Sequence, residues 1–200
     1  MTEHDMSLLR LFREIGLCRD SLICFDCETT GLTAEDEILT FSAVDGYGNV
    51  LIDAMFRPEG IDSWPEAERI NGISPEMVSE CPTFVERRDE IQGLFDAHYM
   101  LLGYNIGFDM GFLDAQGIAF RDMPSPVGWP YARYQRELMR DFSDYYGEYR
   151  GYSRRARWQK LTVAAEHIGY KWEGRAHGSL ADAKAALAVA EWLYCGKKQG

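Results

Sequence analysis

No segment of this chain approaches the roughly 20 consecutive apolar residues that a membrane-spanning helix requires. The amino-terminal stretch MTEHDMSLLRLFREIGL places acids early and charges within its apolar part, which excludes a secretory signal. A disulfide framework is absent as well. The five cysteines, Cys18, Cys24, Cys27, Cys81 and Cys195, are odd in number and show no paired spacing, the pattern of reduced thiols in a cytoplasmic protein. Although CFDC matches C-x-x-C, residues three apart on a strand point to opposite faces, so Cys24 and Cys27 cannot jointly hold zinc or close a disulfide unless the strand breaks. Internal repeats and linkers are missing too. With 200 residues and 46% hydrophobic content, the chain reads as one domain over residues 1–200.

Positive charge is scarce. Against 32 acidic residues stand 21 Lys and Arg, a formal net charge of −11, and such a field repels a polyanion such as nucleic acid. The deficit is uneven: from Arg121 to Lys160 nine basic residues meet five acidic ones, a local +4 that leaves −15 on the remainder. Part of that acidity is available to metal, and bound divalent cations reverse the local sign.

The order of elements follows from periodicity and turn chemistry. Leu8, Phe12 and Ile15 recur at helical spacing, so residues 1–19 read as an amphipathic helical extension. SLICFDC is apolar and bounded by turn residues, as expected of a central strand buried on both faces. EILTFSAVD and VLIDAMFRP flank GYGN, so the first three strands form an antiparallel meander. Helices follow, with Pro65 and Pro75 in first-turn positions, Ser74 as a cap, and Thr83 opening a longer helix. YMLLGYN is a fourth strand, and Gly117 ends the short helix after it. Residues 121–157, with three prolines and many aromatics, read as a short strand carrying a long aromatic and basic insertion. Two helices close the chain. The pattern is α/β, a mixed sheet covered by helices.

In FDCETTGL, strand alternation puts Asp26 and Glu28 on one face, close together. Two ionised carboxylates at that spacing raise each other's pKa unless a cation sits between them. Hard oxygen donors without a Cys or His cluster select Mg²⁺ or Mn²⁺ over zinc. An exposed turn whose acids face water explains the pair equally well. Two further stretches tip that balance: GYNIGFDMGF brings Asp109 to the start of a helix beyond an apolar strand, and AHGSLADAKAAL places His177 in a loop and Asp182 five residues later.

The ordered set D-x-E with T-T-G-L, then N-x-x-F-D, then H-x-x-x-x-D, resembles the DnaQ-like DEDDh exonucleases from Leu22 to about Leu193. The resemblance implies an RNase H-like fold, a five-stranded mixed sheet with helices on both faces. It implies a 3′-to-5′ exonuclease that hydrolyses phosphodiester bonds with two Mg²⁺ ions, for which Mn²⁺ substitutes. Asp26, Glu28 and Asp182 would hold the metal that binds the attacking water, Asp26 and Asp109 would serve the second metal, and His177 would take the water's proton. Thr29, Thr30, Gly31, Leu32 and Phe108 would line the floor for the 3′-terminal nucleotide. The partner so implied is nucleic acid with a free 3′ end, single-stranded DNA ahead of RNA, with a polymerase as a further partner. A non-catalytic binding module is the competing class, and it would be expected to lack one or two of the acids. Asn71 and Ser179 depart from the usual His and Ala of relatives and read as peripheral to the metal site. Nine aromatics between Trp129 and Trp158, interleaved with Arg154, Arg155 and Arg157, offer stacking platforms and backbone contacts for a single strand.

Overall fold

The computed structural model describes residues 19–122, 134–149, 156–173 and 178–195. Residues 1–18, where the sequence leads one to expect a helix, lie outside them, as do His177, Arg154, Arg155, Trp129, Tyr131 and Tyr152. Five strands form one sheet in the order β3-β2-β1-β4-β5. They are β1 (Leu22–Thr29), β2 (Ile38–Asp45), β3 (Val50–Met55), β4 (Met100–Gly103) and β5 (Tyr134–Glu137). Antiparallel pairing joins β1, β2 and β3, and parallel pairing joins β1 to β4 and β4 to β5, so the sheet is mixed and β1 is its middle strand.

Both faces of β1 are apolar, and each meets a different set of helices. Leu22 and Cys24 pack in one cluster with Phe142, Ala164, Ala186 and Ala190, which belong to α5 (Leu138–Tyr146), α6 (Leu161–Ile168) and α7 (Ser179–Cys195). Ile23, Phe25 and Cys27 pack in the other with Ile91, Phe95 and Phe112, from α3 (Phe84–Ala97) and α4 (Ile106–Ala115). The Phe95 ring meets Phe25 edge-on with centroids 5.1 Å apart. Cys24 and Cys27 thus point to opposite sides of the sheet, and burial pushes both thiols up from their ordinary pKa, so the C-x-x-C spacing forms no redox or zinc pair.

Helix boundaries follow the local signals closely. Pro65 and Pro75 open α1 (Pro65–Asn71) and α2 (Pro75–Val78), and Gly72 ends α1 in the left-handed region at φ 77°. Thr83 and Glu86 close a reciprocal capping box at the start of α3. Ser74 holds the cap position of α2, but its side chain makes no capping bond. Gly117, with φ 86°, follows α4.

The span 121–157 differs from a strand plus insertion. Beyond the short β5 it contains α5, which begins with no intervening loop because Glu137 both ends the strand and caps the helix, its side chain accepting from the Met139 N–H. Leu138 and Phe142 form the buried side of that helix. Within the described residues, no helix is long and apolar enough to cross a membrane.

Candidate active site

Three elements bring acids to one end of the sheet. Asp26 and Glu28 lie on the face of β1 that Cys24 shares, toward α7, and both are half-buried. Asp182 sits in the first turn of α7, where the helix dipole favours a negative charge. One oxygen from each of Asp26, Glu28 and Asp182 lies within 4.8 Å of the other two. The fourth acid, Asp109, stands in the first turn of α4 with 2% of its surface exposed. Its Oδ1 accepts the Cys27 backbone N–H at 3.0 Å. That bond has a topological cause: β4 pairs with β1 only from Leu22 to Cys24, so Cys27 lies past the ladder and the carboxylate supplies its acceptor.

The electrostatics of this arrangement are unfavourable without a cation. Burial, then the charges of Asp109, Asp182 and Glu28, raises the Asp26 carboxyl well above the ordinary range. Burial likewise raises Asp109, and burial with Asp182 nearby moves Glu28 up to about 7. These groups hold protons at a pH where free carboxylates have lost them. A divalent cation removes the conflict, because it prefers ionised oxygens and cancels their repulsion. Thr40 offers a second sign of fit. It pairs directly across from Glu28 on β2, so it shares Glu28's face, and its buried hydroxyl has no hydrogen-bond partner among the described residues. An all-oxygen donor set with an orphaned hydroxyl beside it suits a hard, hydrated ion.

The turn after β1 is held by a residue that composition did not single out. Thr30 Oγ1 donates to Asp36 Oδ1 at 3.0 Å, while the Thr33 N–H and hydroxyl donate to Asp36 Oδ2 at 2.9 and 2.8 Å. Desolvation is the largest single influence on the Asp36 carboxyl and pushes its pKa up, but these bonds, led by the Thr33 amide, together outweigh it and hold the group below its ordinary value. Thr29 Oγ1 is likewise engaged, donating to the Gly31 carbonyl at 2.5 Å. Both threonine hydroxyls therefore shape the turn, and Leu32 stands at its tip with 84% of its surface exposed. Gly31 has a reason beyond ligand approach: a Cβ there would lie 2.5 Å from both Asp36 carboxylate oxygens. Phe108 is half-buried, with its ring 4.8 Å from that of Phe112.

Asn71 and Ser179 are less peripheral than their sequence context implies. Asn71 is buried at the end of α1, where its Nδ2 reaches the Thr29 carbonyl at 3.4 Å and its Oδ1 accepts the Ile73 N–H at 2.9 Å. Ser179 Oγ lies 2.7 Å from Ser42 Oγ, which in turn donates to Asp53 Oδ1 at 2.7 Å. Ser42 is the direct cross-strand partner of Asp26, so this buried pair fastens the start of α7 to the row that carries Asp26. No periodicity reports such contacts, since they join residues far apart in the chain.

Of the aromatic stretch, Phe142 is core, whereas Tyr145 and Tyr146 are exposed and pack around His167 with Trp192. Trp192 lies ten residues beyond Asp182 on α7, about 15 Å along the axis at 1.5 Å per residue. This cluster is therefore separate from the acids. Arg157 pairs with Glu148 at 3.4 Å on the surface.

The exonuclease family model RNase_T matches residues 23–190. An uncharacterized exonuclease of Escherichia phage 186 is 31% identical over 183 residues, which is 88% of this chain and 90% of the phage protein. The zinc-bound complex of E. coli exonuclease I with single-stranded DNA superposes with a TM-score of 0.66 at 22% identity, over 85% of this chain and 39% of that one. The chain thus spans about two fifths of exonuclease I. The nuclease domain of 3′hExo, a DEDDh family member bound to rAMP, superposes with a TM-score of 0.64 at 20% identity, over 90% of this chain and 94% of that domain. With the RNase H-like sheet, the family match and the convergent acids together, the chain belongs to the exonuclease family and within it to the DnaQ-like DEDDh exonucleases.

Proposed function

We propose that the protein is a 3′-to-5′ exonuclease acting on single-stranded DNA and releasing nucleoside 5′-monophosphates, with residues 1–200 forming one exonuclease domain. The observation that carries this reading is the approach of Asp26, Glu28 and Asp182 oxygens to within 4.8 Å of one another at the open end of a buried strand. Asp26, Glu28 and Asp182 would hold one Mg²⁺, and Asp26 with Asp109 would serve a second. Bound there, divalent cations would supply positive charge to offset that of the phosphate and would make a water's proton easier to lose.

The chain's own residues supply the rest. His177, five residues before Asp182 in the sequence, would accept the proton from the attacking water, for which an imidazole near its ordinary pKa of about 6.5 is suited. Exposed Leu32, on the Asp36-braced turn that follows β1, would offer an apolar surface for the terminal base. Phe108 would pack nearby. Because the hydroxyls of Thr29 and Thr30 are already engaged, these two residues would meet the terminal sugar and phosphate through backbone rather than side chain.

RNA is the second reading, favoured by the rAMP bound to the 3′hExo domain. The retention of all four acids argues against a binding module without activity. A 5′-labelled single-stranded oligonucleotide incubated with Mg²⁺ tests the proposal: a descending ladder supports it, and Asp26→Ala or Asp182→Ala should abolish the ladder with the fold intact. Parallel DNA and RNA substrates decide the sugar. A covalently closed single strand should resist, and its cleavage would sink the exonuclease reading in favour of an endonuclease.

A further inference from the structure

Asn105 is the one residue other than glycine with a positive φ among the described residues, at 71°. It is the residue from which α4 starts, and α4 carries Asp109 one turn later. The turn is tight: a Cβ on Gly103 would lie 2.9 Å from the Ile106 Cβ, so strand and helix meet almost without a connection. A left-handed residue is disfavoured for L-amino acids, less so for Asn than for most, and persists where surrounding bonds hold it. The bond that holds it comes from another strand. Glu137 Oε1 accepts the Asn105 N–H at 2.7 Å and the Met139 N–H at 3.0 Å. Parallel pairing of Gly103 with Glu137 brings the carboxylate there.

We propose that Glu137 is a positioning residue for Asp109. Through one oxygen it ties the turn into α4 to the turn into α5, and so fixes the direction in which α4 leaves the sheet. The consequence falls on Asp109, whose Oδ1 must reach the Cys27 N–H while the carboxylate stays beside Asp26. Glu137 is not one of the three residues whose oxygens converge, so its part differs from that of a ligand. The inference rests on the nuclease reading of this site. A simple cap for α5 is the competing explanation of the same carboxylate, and it predicts a loss of stability alone.

The two are separable. Glu137→Ala, Glu137→Gln and the double variant Glu137→Ala/Asn105→Gly would be compared with the natural protein for kcat and KM on a single-stranded oligonucleotide. The same samples would be followed by Mn²⁺ titration using electron paramagnetic resonance and by hydrogen exchange at the Asn105 amide. Removing a group hydrogen-bonded directly to a metal ligand typically lowers metal affinity or activity by about 10- to 100-fold, and Glu137, which acts on Asp109 through the start of α4, belongs at the lower end of that range, about tenfold. A fall of that size in kcat and in Mn²⁺ affinity, with KM nearly unchanged, is the result expected for Glu137→Ala. Glu137→Gln keeps an acceptor oxygen and should fall between, with Asn105 amide protection in the same order. Asn105→Gly makes the left-handed turn easy without the clamp and should restore several-fold of the lost kcat to Glu137→Ala. If Glu137→Ala does not fold, the Gln variant carries the comparison. Natural kcat and Mn²⁺ affinity in a variant whose Asn105 amide exchanges freely would overturn the proposal, as would no rescue by Asn105→Gly. Absence of nuclease activity in the natural protein would refute the functional reading instead, and Mn²⁺ titration would still decide the part played by Glu137.

Discussion

Raising the pH should destabilise the metal-free protein, and Glu28 should carry much of the effect. Burial beside Asp182 lifts its carboxyl from 4.5 to about 7. A raised folded-state pKa means that, between those two values, the native chain holds a proton that the unfolded chain has released. Stability therefore falls as pH rises through this window, the reverse of a salt-bridged acid. The span corresponds to about 3 kcal/mol at most, lowered by solvent screening at a half-buried group. For a chain of this size that amounts to a drop in Tm of at most about 6–12 °C between pH 4.5 and about pH 8. Asp26 and Asp109 are shifted in the same direction and add to the slope. Urea unfolding followed by circular dichroism in EDTA, at a series of pH values, measures it. Glu28→Gln should flatten the curve and raise stability near neutrality, and millimolar Mg²⁺ should recover stability in the natural protein but much less in the variant. A metal-free protein whose stability stays level or climbs across the window, or a Gln variant with an unchanged slope, would refute the reasoning.

Three further changes test separate parts of the architecture. Thr83→Ala removes half of the α3 capping box and should lower stability by about 1 kcal/mol with activity preserved, read by thermal melting and the oligonucleotide assay. Gly31→Ala forces the Asp36 carboxylate away from its three donors; nuclease activity should drop at least tenfold while the melting temperature moves by only a few degrees, and an unaffected rate would show that the turn's shape is immaterial. Ser179→Ala breaks the buried hydroxyl pair with Ser42 and should destabilise by about 1 kcal/mol in chemical denaturation, because Ser42 keeps its bond to Asp53.

The four candidate acids stand out in the sequence because each one sits where a short pattern meets a boundary. Asp26 and Glu28 end an apolar run, and alternation alone places them on one face. Asp109 and Asp182 open helices, which marks them but does not join them; only the ordered set ties the four together. The meander, both first-turn prolines and the helix start at Thr83 were equally local and equally readable. What escaped depends on residues distant in the chain. Helix α5 was hidden because it follows β5 without turn residues, Glu137 serving as strand end and cap at once. The bracing of Leu32 by Asp36, the Ser42–Ser179 pair and the hold of Asn71 on the Thr29 carbonyl are tertiary bonds without periodic signature. Ser74 shows the opposite failure, a correct cap position whose hydroxyl caps nothing.

Anomalous diffraction from Mn²⁺-soaked crystals addresses the principal claim most directly. A peak between the side chains of Asp26, Glu28 and Asp182, at about 2.0–2.3 Å from their oxygens as hard cations require, is the result predicted. Strong peaks elsewhere with that position vacant, under conditions where the protein degrades DNA, would contradict it.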